Sequence, residues 1–414
     1  MHMSFDDSAL SFLEGDHALL AKLILERLEP SCWPLSLDDL PRGAALVGGS
    51  IRDALLNKIN HKPDLDFVVP SKAIKLVKEL ATTKDGTCVV LDSQRDIARL
   101  VINGWTIDIA TQVGNSLNED LSRRDFTINA IALKLDSLPE LLDPQGGIDD
   151  LKERKLLAVS NKNLIEDPLR LLRGFRLSAE LNLAFDSNTI DFITSNVKYL
   201  QLVAVERIKV ELERLVNGLW ADQVIKVIQQ IGLLEPWEPQ KNNANAHSLS
   251  LTNISSLNAN EQEIAVPLIR LTQLLGDQGL EDLGFSRKKI KDSYYLRYWY
   301  NRNDGLAFNT LDESERIKLH KDLETNLPAL ILQLSPGQQK IWLLRWRDPK
   351  DPLFHPISPL DGYTLRKIFD APQGPWIGKL MSFLCKEQAF GRLQNRQDAV
   401  QLAFYWWEHN QPLL

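Results

Sequence analysis

Ala44-Ala45-Leu46-Val47-Gly48-Gly49-Ser50-Ile51-Arg52-Asp53, followed closely by Asp64-Leu65-Asp66-Phe67-Val68-Val69-Pro70, is the stretch that decides the fold. Ala44–Val47 reads as a short apolar strand broken by two glycines, and Ser50 as the cap of a helix running to Leu56. Glycines let backbone N–H groups approach a phosphate, and a helix start favours negative charge. Arg52 falls in the first turn, where its fork can clamp a triphosphate. By itself a diglycine before a helix is more often a plain turn. Leu65–Val69 is β-rich, so Asp64 and Asp66 share one face of a strand. Neighbouring carboxylates repel unless a cation sits between them, and Mg²⁺ held by two carboxylates plus substrate phosphates is the expected arrangement. An isolated pair reads as exposed edge residues. The diglycine helix just upstream shifts that balance, because the two elements would meet at one pocket.

Working outward, Ser71–Leu80 reads as an amphipathic helix. Thr87–Leu91, Ala98–Ile102 and Thr106–Ile109 are β-like, and Asn103-Gly104 joins the last two as a hairpin. Asp108 is a third acid within an otherwise apolar run, where a charge needs a partner or a metal. Three acids on neighbouring strands can hold two metal ions. Residues 44–143 therefore form an α+β unit, a small mixed sheet with helices. Residues 1–40 read as a helical lead-in. From Leu164 the pattern is helical almost throughout, interrupted by an Asn- and Ser-rich loop at Asn242–Asn260 and by the four prolines of Asp348–Pro359.

Arg123-Arg124-Asp125-Phe126-Thr127-Ile128-Asn129-Ala130 sets three charged residues against a run that reads as buried. The arginines can reach a triphosphate and Asp125 a ribose hydroxyl, although a surface salt-bridge cluster has the same look.

In this order the motifs resemble those of the class II CCA-adding enzymes and bacterial poly(A) polymerases, whose head is a polymerase-β-like nucleotidyltransferase fold. Gly48–Asp53 with Asp64-Leu65-Asp66 is similar to the family's first motif, and the Arg123–Ala130 octet to its ribose motif. Asp143–Leu151 resembles the hinge, Glu166–Arg173 the nucleotide-base motif, and Glu206–Leu212 a fifth motif on a neck helix. Ser358–Ala403, with Gly374-Pro375-Trp376, resembles the tail. The resemblance implies a catalytic head over 1–150, a helical neck over 151–235, and a helical body (236–350) and tail (351–414) that bind tRNA. It implies nucleotide addition to a tRNA 3′ end from CTP and ATP, with Asp64, Asp66 and Asp108 as catalytic metal ligands for Mg²⁺. Gly48, Gly49, Ser50, Arg52, Arg123, Arg124, Asp125, Asn129, Asp167, Arg170, Arg173 and Arg176 would hold the nucleotide.

Glu166-Asp167-Pro168 reads as a helix start, with Pro in the first turn. Asp167 and Arg170 then project from one face, and Arg173 continues it. That spacing alone suits an ion pair. The resemblance implies that the pair hydrogen-bonds a base edge and selects C or A without a template. Only fourteen residues separate Asp108 from Arg123. Full CCA-adding members carry a longer, flexible stretch there, so the shortness is similar to a CC-adding member, with a partner enzyme supplying the A.

The 44% hydrophobic and 25% charged fractions suit a soluble globular chain of several domains, and no apolar run is long enough to span a membrane. The acidic N-terminal stretch does not read as a signal peptide, and three scattered cysteines suit the cytoplasm. The net charge of −7 counts against a general nucleic-acid coat. Local basic stretches offset it: Lys152–Arg176 carries seven basic against three acidic residues, and Arg287–Arg302 six against one. In the second, Tyr294, Tyr295, Tyr298, Trp299 and Tyr300 interleave with the cations. The rings can stack on RNA, or pack as an amphipathic helix's core, which the spacing favours slightly. The histidines show no His-Asp pairing of a metal phosphohydrolase. A poly(A) polymerase, or an inactive RNA-binding protein on the same fold, are the competing readings.

Overall fold

A computed structural model describes residues 16–238, 249, 251, 254–302 and 310–410. Most of the Asn242–Asn260 loop and the first fifteen residues of the lead-in lie outside them. The chain divides into two compact units, Met1–Glu211 with Gly218–Leu233, and Leu212–Asn217 with Leu234–Leu414.

The first unit opens with α1 (His17–Leu28), then β1 (Ala45–Val47), α2 (Gly49–Leu55), β2 (Leu65–Val69), α3 (Ala73–Thr83), β3 (Thr87–Asp92), β4 (Ile97–Ile102) and β5 (Trp105–Thr111). A single-turn helix, α4 (Leu117–Leu121), leads to β6 (Ala132–Lys134), β7 (Glu140–Leu142), α5 (Gly147–Lys152), β8 (Lys155–Leu156) and α6 (Asn161–Glu166). Then come α7 (Leu169–Leu181), β9 (Ala184–Phe185), α8 (Ser187–Asn196), α9 (Val205–Asn217, of which Leu212–Asn217 belong to the second unit) and α10 (Ala221–Ile231). The main sheet is mixed, in the order β3-β4-β5-β2-β1-β6-β7, with β2 and β5 parallel. The short pairs β6–β7 and β8–β9 carry too few residues to show in the sequence pattern.

Strand alternation sets the two faces of this sheet. Ala98, Leu100 and Ile102 of β4 and Trp105, Ile107 and Ile109 of β5 are buried on the side where α3 packs. Each large aliphatic side chain so buried contributes about 1.5–3 kcal/mol. The intervening residues Arg99, Asp108 and Asp66 lie on the other face and are partly exposed. Asn103 and Gly104 both have positive φ, 50° and 74°, as the tight hairpin turn requires.

One expectation fails locally. Gly48, not Ser50, occupies the cap position of α2, at φ 79° and ψ −133°. Ser50 is drawn inside the helix, and its buried hydroxyl has no hydrogen-bond partner among the described residues.

The second unit is helical among its described residues. It holds α11 (Ala259–Leu274), α12 (Asp277–Asp282), α13 (Arg287–Asn301), α14 (Glu313–Leu323), α15 (Leu327–Ile331), α16 (Pro336–Trp346), α17 (Gly362–Phe369), α18 (Pro375–Ala389) and α19 (Arg396–His409). Asn258 caps α11 in a reciprocal box with Glu261, so the expected loop ends two residues early. One core gathers Trp299, Leu330, Trp342 and Phe354; another gathers Leu365, Trp376, Leu380 and Ala403. On α13, Trp299 is buried, Tyr295, Tyr298 and Tyr300 pack on the core, and Tyr294 is exposed. Core packing thus explains most of those rings. Among the described residues no helix is long and apolar enough to cross a membrane.

Candidate active site

β1 ends at the diglycine turn, and that turn faces β2. A Cβ built on Gly48 would lie 3.8 Å from Asp66 Oδ2 and 3.7 Å from Arg124 Nη1. The first acid motif, the glycine turn and the arginine octet therefore meet at one point. Asp64 stands exposed just before β2, and Asp66 is the second residue of that strand. Asp66 pairs in register with Asp108 across the parallel β2–β5 ladder. Burial pushes the Asp66 carboxyl up to about 6; Arg124 opposes this, while the nearby charges of Asp108 and Asp64 add to it.

Asp108 is not free. Arg99, its cross-strand partner on β4, grips both its oxygens, with Nε to Oδ1 at 2.7 Å and Nη2 to Oδ2 at 2.9 Å. Among the described residues no three acidic, His or Cys side chains converge as a ready ion cage. The donors nevertheless suit a hard divalent cation. They are carboxylate oxygens, and Asp66 is desolvated among like charges that a cation would neutralise.

The octet is the wiring centre. Arg52 is buried, donating to Asn129 Oδ1 at 2.6 Å and to Asp53 Oδ1 at 2.8 Å, so its fork locks α2 to the octet. Asn129 Nδ2 donates to Asp125 Oδ1 at 3.1 Å, and Arg173 Nη1 reaches Asp125 Oδ2 at 3.5 Å. Burial alone would raise the Asp125 carboxyl, but Arg173, Asn129, the Phe126 N–H and Arg170 hold it below the usual range. Arg173 continues to Glu211 at 3.4 Å. Glu211 also receives Arg176 at 2.5 Å, and Arg176 bonds Glu180 at 2.6 Å. Arg176 is buried in that network. Arg124 pairs with the buried Asp120 at 3.1 Å, and the exposed Arg123 with Glu166 at 3.4 Å. In the hinge motif, Asp143 accepts the N–H groups of Gly147 and Ile148, and Thr127 donates to Asp150 at 2.5 Å. A Cβ on Gly147 would come within 2.2 Å of the Thr127 carbonyl oxygen, so this contact admits only glycine.

The base motif departs from its expected geometry. Asp167 precedes the helix: α7 starts at Leu169, and Asp167 is extended at φ −136°. Proline at 168 disfavours helical backbone in the residue before it. Asp167 and Arg170 therefore do not share a helix face. Asp167 accepts from Arg207 of α9 at 3.0 Å, and Arg170 Nη1 donates to the carbonyls of Arg123 (2.9 Å) and Asn163 (3.0 Å). Sequence reading missed Arg99 and Asn163, and quoted Asp120, Arg207 and Glu211 without a site role. Asn163, buried, donates to the carbonyls of Ser122 and Arg124, both at 2.8 Å. Its sequence signal was slight: a polar residue in the first turn of a Ser-capped helix.

The family model for the poly(A) polymerase head domain matches residues 44–157. A Synechocystis CC-adding tRNA nucleotidyltransferase is 31% identical over 396 residues, spanning 89% of this chain and 95% of that protein. An Enterococcus faecalis CCA-adding enzyme is 35% identical over 389 residues, spanning 86% and 90%. Among solved structures, the Thermotoga maritima CCA-adding enzyme complexed with tRNA shares the fold with TM-score 0.73 at 22% identity, over 93% of this chain and 98% of that one. With the glycine turn, acid pair and octet assembled at one site, and relatives matching nearly end to end, the chain belongs to the class II CCA-adding tRNA nucleotidyltransferase family and is a nucleotidyltransferase.

Proposed function

We propose that this enzyme adds cytidine nucleotides from CTP to the 3′ end of tRNA without a nucleic-acid template, and that it stops after CC. The observation that carries the transfer site is the meeting of Gly48, Asp66 and Arg124. A side-chain-free turn leaves room for phosphate there, Arg124 supplies charge, and the Ser50 hydroxyl, without a partner among the described residues, is a spare donor. Asp64 and Asp66 would hold Mg²⁺, with Asp108 beside them. Bound Mg²⁺ would lower the pKa of the RNA 3′ hydroxyl and offset charge on the triphosphate. Asp125, Asn129 and Arg52 hold the octet in place behind that site.

Base choice falls to Asp167 and Arg170. A carboxylate accepts from the amino group of cytosine, and a guanidinium donates to its ring nitrogen and carbonyl. Uracil reverses the pattern at the amino position and at the ring nitrogen, and shares only the carbonyl. For both residues to face a base, Asp167 must leave Arg207 and Arg170 must leave its two carbonyls.

The CC-only reading is supported by the connection between Asp108 and Arg123, which is short and anchored. Gln112 N–H donates to the Val69 carbonyl at 2.8 Å, Val113 N–H to Asp120 at 3.0 Å, and Asn115 N–H to Glu119 at 2.9 Å. Such a strap has little freedom to reshape the pocket from C to A. A separate A-adding enzyme would then complete the terminus. The neck (151–235) carries the base-reading residues, and the body (236–350) and tail (351–414) hold the tRNA. The exposed Arg287, Lys288 and Lys291 of α13 are suited to its phosphates. The working compartment is the cytoplasm, where tRNA and nucleoside triphosphates meet.

The test is incorporation of labelled CTP and ATP, separately and together, into tRNAs lacking one, two or three terminal nucleotides. The expected product is CC, with no A added to a tRNA ending in CC. Addition of A to that tRNA would make the enzyme a full CCA-adding one, and repeated ATP addition to generic RNA would make it a poly(A) polymerase.

A further inference from the structure

Arg99, Asp108 and Asp66 form one row across three neighbouring strands. Arg99 faces Asp108 in the antiparallel β4–β5 pair, and Asp108 faces Asp66 in the parallel β5–β2 pair. The Arg99 fork takes both Asp108 oxygens, at 2.7 and 2.9 Å. This clamp differs from the other arginines of the site. Arg52 and Arg176 are buried and each bridges two partners, whereas the Arg99 side chain is 40% exposed and that of Asp108 27%. A pair at that depth separates far more easily than a buried one. The Arg99 fork takes one of the two lone pairs on each Asp108 oxygen, and a divalent cation bound to those same lone pairs must displace it. The clamp also serves the free enzyme. It neutralises one of the two acids paired on this face of the sheet, Asp108 beside Asp66, and so limits their mutual repulsion.

We propose that Arg99 is a positioning residue that keeps Asp108 out of the cation site in the free enzyme, and that a divalent cation enters this third position only by displacing it. This rests on the cation-site reading of Asp64 and Asp66. Asp108 is then recruited late: cation binding that uses it is weaker than three unclamped acids would give.

The test is a Mn²⁺ titration of the full-length protein, without nucleotide or RNA, following free Mn²⁺ by electron paramagnetic resonance. Arg99→Ala should tighten Mn²⁺ binding about 10-fold, the scale expected when a partner of a metal ligand changes. Arg99→Lys, which keeps the charge but loses the fork, should fall between wild type and Arg99→Ala. In the Arg99→Ala/Asp108→Asn double variant the gain should vanish. Binding no tighter in Arg99→Ala than in wild type, or a gain that survives loss of Asp108, overturns the proposal. A control separates it from the underlying reading: if Asp64→Ala/Asp66→Ala leaves Mn²⁺ binding intact, the cation site itself is wrong. If that variant abolishes binding while Arg99→Ala changes nothing, only the clamp is wrong.

Discussion

Arg52 donates to the Asn129 carboxamide at 2.6 Å although the two residues are 77 positions apart. That bond joins the diglycine helix to the octet, and through Asp125 and Arg173 the link runs on to Glu211 of the neck. The diglycine turn and the neck helix α7 therefore belong to one polar network, with most of its members buried.

Removing the link should be felt in stability as well as activity. Asn129→Ala deprives a buried guanidinium of one acceptor and Asp125 of one donor. A cost of about 1–3 kcal/mol is expected, read as a lowered thermal midpoint, together with slower CTP incorporation. An unchanged midpoint would show that the network tolerates the gap.

Gly48 sits at φ 79° and ψ −133°, a backbone state that side-chain-bearing residues rarely adopt. Its added Cβ would meet Arg124 and Asp66 only at ordinary contact distance, so strain rather than collision is the expected fault. Gly48→Ala should cost about 1–3 kcal/mol and depress incorporation. Gly49→Ala, at negative φ and with the Arg52 guanidinium nearest at 3.5 Å, should be milder in parallel melting and activity measurements.

On the proposed reading, Arg170→Ala removes a base-reading donor without touching the glycine turn. Discrimination between CTP and UTP should fall by roughly 10-fold or more, the scale of one good base contact, while triphosphate affinity changes little. Competition kinetics with both nucleotides measure this directly. Undiminished preference for C would remove Arg170 from the selecting pair.

His320 gives the second unit an acid sensitivity. It is buried against Phe354 and Trp342, with ring centroids at 4.2 and 5.5 Å, and neither ring nitrogen has a hydrogen-bond partner among the described residues. Burial, reinforced by Arg316 and Arg345, pushes its pKa down to about 3 from the usual 6.5. The unfolded chain thus binds a proton between those values and the folded one does not, so stability rises with pH across that window. Below pH 6.5 the protein should lose up to about 1.4 kcal/mol per pH unit from this group. His320→Phe should flatten that acid slope in melts followed from pH 7 to pH 4, and an unaltered slope would exonerate the histidine.

Much of the head was legible in the chain itself. Apolar–polar alternation in β4 and β5 marks Ile107 and Ile109 for the covered face and Asp108 for the open one. Asn103-Gly104 specifies its turn because few residues accept positive φ at both positions. The two-residue period of β2 likewise sets Asp66 on the open face with Asp108, while Asp64 stands just before the strand. Local sequence determines such features because each depends on backbone sterics and on neighbours within one or two turns.

Partners across the fold were decided only by tertiary structure. Nothing near Asp108 announces that Arg99 would hold it, nor does anything near Asp167 point to Arg207, forty residues on. Periodicity tells which way a side chain faces but not which distant element arrives opposite it. The spacing of Asp167 and Arg170 suggested a shared helix face until Pro168 set the helix start beyond the aspartate. Sequence thus settled the kind of fold and the chemistry it carries. Packing of separate elements settled which charges meet, because an ion pair depends on the positions of both backbones and not on either residue alone.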